Sequence, residues 1–153
     1  LKGVKREQAF EDFEVNAWGA VQTLQANAKL LQKAPTASVV LFSTVAVQTG
    51  MPYHTGIAMA KGAVEGLTRT LAAEWSPSIR VNAIAPSLTD TPLAASMLSS
   101  DAKIQAAAER HPLKTVGNAN SIASLATWLL AGGSEFVTGQ VYAADGGMGS
   151  IRK

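Results

Sequence analysis

The chain contains no cysteine, which excludes disulfides and thiolate metal sites. That absence is compatible with a cytoplasmic setting, which is the expectation. The two histidines, His54 and His111, are far apart and have no carboxylate at metal-ligand spacing, so no metal site is expected. Charge is also thin. Lysines and arginines number 13 against 11 acidic residues, and the basic ones are scattered from Lys2 to Lys153. Without a basic stripe carrying interleaved aromatics, nucleic acid is not an expected partner. No stretch reaches the roughly 20 apolar residues of a membrane span, so no membrane partner is expected either. No basic start followed by a short apolar run marks a secretory signal.

What is present is an ordinary globular composition, 47% apolar in 153 residues, enough to bury one core. The first residue is Leu1, and LKGVKREQAFEDFEVN already reads as helix with no strand before it. The simplest expectation is a piece of a longer chain.

The elements alternate. Residues 5–33 carry Phe10, Phe13, Ala17, Val21, Leu24, Ala28 and Leu31 at helical spacing, and Pro35 ends that element. SVVLFS at 38–43 is a short β-branched run, read as a strand buried on both faces. A helix of about 20 residues follows, stopped by Ser76-Pro77. The reading continues with a strand at 79–86, loose helix at 91–110, a helix at about 120–132 and a strand at 137–147. Strands alternating with helices predict right-handed crossovers and a parallel sheet, an α/β fold. A continuous apolar strand at 38–43 asks for neighbours on both edges, and three strands supply too few. Further strands are expected upstream.

Lys61 stands alone among small residues, with Ile57 one turn before it on the same helical face. Gly56, Ala58, Ala60, Gly62, Ala63 and Gly66 keep this helix thin, so a backbone or a ligand is expected to approach closely.

With these residues in view, the chain resembles the short-chain dehydrogenase/reductase family of Rossmann-fold, NAD- or NADP-dependent oxidoreductases. VNAWG at 15–19 is similar to the family's asparagine helix motif, and VVLFST at 39–44 to the strand ending in its catalytic serine. AMAKGAVEGLTRTLAAEW resembles the lysine helix, VNAIAPSLTDTP at 81–92 the segment over the nicotinamide, and FVTGQVYAADGG at 136–147 the C-terminal strand. The resemblance implies the C-terminal half of a doubly wound parallel sheet. It implies Asn16, Thr44 and Lys61 as the catalytic group. Lys61, Pro86, Ser87, Thr89 and Thr91 would contact NAD or NADP, and Asn16 would orient Lys61 through a water.

In the family a tyrosine one turn before the lysine passes the proton, its phenol pKa lowered from about 10 by the ammonium. Here that place holds Ile57, which has no proton to give. Tyr53 and His54 are the nearest substitutes, the first eight residues before Lys61 and the second one turn before Ile57. Thr44 stands where the family has serine, thirteen positions before Ile57, and keeps the hydroxyl while its methyl crowds the site. Pro86-Ser87 replaces Pro-Gly, adding a side chain where close approach is usual.

Plainer roles remain open beside these. Lys61 could be a solvated helix lysine, Asn16 with Gly19 could mark a kink, and Thr44 could end a strand. Asp90-Thr91-Pro92 reads equally well as a helix start. The glycine-rich loop that holds the pyrophosphate is not in this sequence, so dinucleotide binding by these residues alone is expected to be weak. The resemblance also implies a small-molecule substrate lined by 91–110, and a homodimer or homotetramer. The alternative is a dinucleotide-binding or subunit-assembly protein without catalysis.

Overall fold

A computed structural model of the chain describes residue 1 and residues 3–151. The first helical stretch is one element in three parts. These are α1 (Arg6–Phe13), a π-helical turn (Glu14–Trp18) and α2 (Gly19–Lys33). The predicted stripe splits at the π turn. Ala17 and Leu24 are buried, while Phe10 and Phe13 are exposed. The expected disturbance near Asn16 and Gly19 is this π turn.

Then follow β1 (Ala37–Phe42), a short α3 (Ala46–Thr49), α4 (Thr55–Trp75) and β2 (Ile79–Pro86). The remaining elements are β3 (Thr89–Asp90), α5 (Asp101–Glu109), β4 (Gly117–Asn118), α6 (Ala119–Leu130) and β5 (Val141–Ala144). Serine at position 76 takes an extended conformation after α4, as the residue before a proline must.

The sheet is parallel, in the order β1-β2-β5, with Val39 paired to Val81 and Ala83 to Val141. Strand periodicity sends alternate side chains to opposite faces. Val39, Ile79 and Val81 meet Leu24 of α2 and Ala72 of α4 in one apolar cluster. Ser38 and Arg80, paired in the same register, point the other way, and both donate to the carbonyl of Leu129 in α6. Helices thus cover both faces.

Three expectations need correction. The strand buried on both faces is β2, where Val81, Asn82, Ala83, Ile84 and Ala85 are all sealed. Strand β1 is half-buried, with one paired neighbour among the described residues. The 91–110 segment is helical only at its end, after a 3₁₀ turn (Pro92–Ala94) and a run of turns. Its serines compete for backbone hydrogen bonds, and Ser100 starts α5 by accepting from the Lys103 amide. The last strand begins at Val141 because Gly139 has φ +72°, which is not strand geometry.

Two devices were not foreseen. Buried Asn82 donates to Val137 O at 3.0 Å and accepts from Gln140 N at 3.1 Å, which fixes the approach to β5. Arg80 donates to Leu129 O, Ala131 O and Ser134 Oγ at 2.9–3.2 Å, so a strand residue caps the C-terminus of α6.

Candidate active-site cleft

A cleft of about 680 Å³ opens beyond the carboxyl ends of β1 and β2, where open parallel sheets bind ligands. Five of the expected residues line it: Thr44, Pro86, Ser87, Thr89 and Thr91, and Ile57 lines it too. Met51, Leu88, Leu93, Met97 and Ile122 make much of the rest apolar.

Lys61 reaches this region from α4. Its Nζ donates to the carbonyl of Phe42, the last residue of β1, at 2.8 Å. Partial burial pulls the ammonium below its ordinary value of 10.5, since desolvation disfavours charge. One turn later, buried Glu65 accepts a 2.7 Å hydrogen bond from Ser43 Oγ, with the Arg69 guanidinium 3.9 Å away. The two contacts tie α4 to the end of β1 at the consecutive residues Phe42 and Ser43.

Asn16 is held within its own helix. Its side-chain Nδ2 donates to Asp12 O at 2.9 Å, reaching from the π turn back into α1. That turn packs against α4, and the small residues of α4 accept the approach. A Cβ on Gly56 would collide with the carboxylate of Asp12 in α1 and touch the Ala9 backbone. The expected close partner of the thin helix is therefore another helix.

The Thr44 hydroxyl accepts from Ala46 N at 3.4 Å, a loose bond at the start of α3. Ser87 does not fill the cleft with its hydroxyl. Ser87 Oγ lies 2.8 Å from His111 Nε2, and that ring's Nδ1 donates to Ala107 O at 2.9 Å. The Thr89 hydroxyl donates to Ser87 O and the Thr91 hydroxyl to Thr89 O, so both brace the turn after β2. Thr91 also precedes the 3₁₀ turn with Pro92 in its first turn, so a helical start does fall there, but the Thr91 side chain makes no cap bond to it.

His54 lines the cleft, and its Nδ1 donates to Pro52 O at 2.7 Å, leaving Nε2 as the acceptor in the neutral ring. Tyr53 lies outside it, fully exposed, at φ 65°. It lines a second groove of about 830 Å³ between the starts of α1 and α4. Of the residues expected to bind cofactor, none lines that groove, which meets the main cleft at His54 and Ile57. Among the described residues no group of His, Asp or Glu is arranged to hold a metal ion. No helix among them is long and apolar enough to cross a membrane.

Sequence reasoning missed Arg80, Glu65 and His111. His111 carried a signal, since a histidine just before a proline ends the loose segment ahead of a helix.

A parallel α/β sheet with a cleft at its carboxyl edge and a lysine helix beside it defines a Rossmann-type domain. The model of the enoyl-(acyl carrier protein) reductase family matches residues 2–149, and the chain belongs to the short-chain dehydrogenase/reductase family. It is 35% identical over 152 residues to an inactive 2-(S)-hydroxypropyl-CoM dehydrogenase 2 of Xanthobacter autotrophicus, covering 90% of this chain and 66% of that protein. It is 38% identical over 120 residues to a tropinone reductase homolog of Arabidopsis thaliana, covering 78% of this chain and 46% of the relative. Among solved structures, a gluconate 5-dehydrogenase of Burkholderia cenocepacia in complex with NADP and tartrate superposes with TM-score 0.90 at 25% identity. That match covers 99% of this chain and 60% of the neighbour. A short-chain type dehydrogenase/reductase of Mycobacterium ulcerans gives TM-score 0.89 at 30% identity, over 98% and 55%. The chain spans about half to two thirds of the length of the relatives it matches.

Proposed function

We propose that this chain supplies the nicotinamide and substrate half of an NAD(P)-dependent oxidoreductase, acting on a hydroxyl or carbonyl group with an impaired proton-transfer step. The observation that carries the reading is the convergence of Thr44, Ile57, Pro86, Ser87, Thr89 and Thr91 on one cleft, with Lys61 tied to its rim.

The residues fit the nicotinamide end of the cofactor and not its pyrophosphate. The turn Pro86–Ser87 with Thr89 and Thr91 would hold the carboxamide end, and Lys61 would hold the ribose. The cofactor supplies hydride chemistry when bound. Thr44 presents a hydroxyl to hold the substrate oxygen, and Leu93 and Met97 add apolar surface to the same cleft. Burial holds the Lys61 pKa below 10.5, and an electronegative ribose oxygen beside the ammonium would offset that cost. Asn16 stays a positioning candidate through the π turn that packs on α4. The missing function is a proton donor at position 57. Losing a positioned general acid costs about 10²- to 10⁴-fold, so turnover is expected to be slow.

Exposed Phe10, Phe13 and Trp18, with Met59 on α4, suit association of copies through this helical face, as a homodimer or homotetramer. A cytoplasmic location belongs to the same proposal.

Ile57 also favours a second reading, a dinucleotide-binding or assembly protein without catalysis, and one matched relative carries the word inactive in its name. Titration of NADH and NADPH onto this chain and onto any longer form separates the cases, with energy transfer from Trp18, Trp75 and Trp128 as readout. Binding to the longer form with slow turnover supports the enzyme. Binding without turnover supports the second reading, and no binding to either form overturns both dinucleotide readings.

A further inference from the structure

The segment that roofs the cleft has little of its own to hold it. Across 91–110 the buried apolar residues are Ala94, Ala107 and Ala108, one methyl each, while Leu93, Met97 and Ile104 are exposed. Burial scales with apolar area, so three methyls anchor a 20-residue segment weakly. The large buried group at its end is His111, only 1% exposed.

His111 joins three parts of the chain. Nδ1–H donates to Ala107 O in the last turn of α5 at 2.9 Å, which leaves Nε2 to accept the Ser87 hydroxyl proton at 2.8 Å in the neutral ring. The ring also rests on Gly146, whose φ is +61° and whose Cβ, if present, would lie 3.3 Å from His111. That glycine turn is fixed by Asp145, which accepts from Gly147 N at 2.9 Å and Gly149 N at 2.7 Å.

Ser87 in turn carries the base of the turn after β2. Its carbonyl accepts from Thr89 Oγ1 at 3.0 Å, and Thr91 follows on the Thr89 carbonyl. Both ends of the roof segment are therefore tied to the same short turn, one through Thr91 and the other through His111.

We propose that the Ser87–His111 hydrogen bond is a latch fixing the roof segment to the cofactor-facing turn, with His111 a positioning residue. Its service to substrate enclosure rests on the function proposed above. The hydroxyl that Ser87 adds would then be the latch's donor instead of an obstruction in the cleft.

Amide hydrogen exchange on the full chain without nucleotide tests this, comparing Ser87→Gly with the parent. Loss of one buried hydrogen bond shifts a local opening equilibrium by about tenfold. Exchange in α5 and at Ala94–Leu98 is expected to quicken about that much, with β1 and β2 unchanged. His111→Gln, whose Oε1 can take the Ser87 proton, is expected to protect α5 better than His111→Leu. Uniform quickening, no quickening, or equal behaviour of the two His111 variants would overturn the latch. If α5 and Ala94–Leu98 quicken as expected while the longer form fails to bind NADPH, the proposed function falls and the latch stands.

Discussion

Lys61 and Phe42 are joined across 2.8 Å by an ammonium-to-carbonyl hydrogen bond, so the lysine of α4 sits on the end of β1. The contact fixes the ammonium at the edge of the cleft, beside Phe42 and on the same helical face as Ile57. Restoring a phenol there is the direct test of the site. Ile57→Tyr in a longer form carrying the phosphate-binding half is expected to raise turnover by about 10²-fold or more. The loss of reduced-nicotinamide absorbance with a panel of small carbonyl compounds measures it. An unchanged rate would mean that the pocket no longer serves catalysis.

The same lysine makes a pH prediction. Burial lowers its pKa below 10.5, so between that lowered value and 10.5 the unfolded chain binds more protons than the folded one. Stability therefore rises with pH across that window, and at neutral pH the buried charge costs stability. Lys61→Met is expected to show its largest Tm advantage near pH 7, shrinking as pH climbs toward 10.5. Thermal melts of both proteins at several pH values check the trend.

Arg80 predicts a purely structural effect. Removing its guanidinium strips the cap from Leu129 O and Ala131 O, and hydrogen bonds to a charged group are worth about 1.5–3 kcal/mol. Arg80→Met is expected to lower stability by that order in urea unfolding. Arg80→Lys is expected to recover only part, because an ammonium has no planar fork.

Two glycines that look alike in sequence are expected to behave differently. At Gly117 a Cβ would meet Leu88 O at 3.2 Å and Thr89 Cα at 3.3 Å, backbone atoms that cannot swing aside. Gly117→Ala is expected to cost about 1–3 kcal/mol by overpacking the β3–β4 ladder. At Gly56 the severe contact is the end of the Asp12 side chain, which can rotate away. Gly56→Ala is expected to be near neutral or to stabilise, helped by about 1 kcal/mol of helix propensity. Paired denaturation curves decide it.

These contrasts show which parts of the molecule were legible beforehand. Strand β2 was read at its true ends, because β-branched residues and a terminal proline mark both limits. The cleft residues Thr44, Pro86, Ser87, Thr89 and Thr91 were legible through their order along a family pattern, and they do share one cavity. The shortage of neighbours at β1 was legible as well, since a continuous apolar run calls for partners on both edges and only β2 pairs with it among the described residues. The roles of Arg80, Glu65 and His111 were hidden. Each acts on a partner 22 to 57 residues away, and no local periodicity records such a contact. The 91–110 stretch misled because alanines favour helix while its serines and Pro92 divert the backbone.

The π turn at Glu14–Trp18 takes one extra residue into a wider loop of the helix. That extra width absorbs the roughly 100° that one more residue would add, so α1 and α2 keep their facing across it. Deleting one residue there is expected to close the turn into ordinary α-helix while Asp12 and Ala9 stay on Gly56. The swelling is therefore a local pocket of slack, and a one-codon deletion would re-aim only the side chains inside it, Asn16 among them.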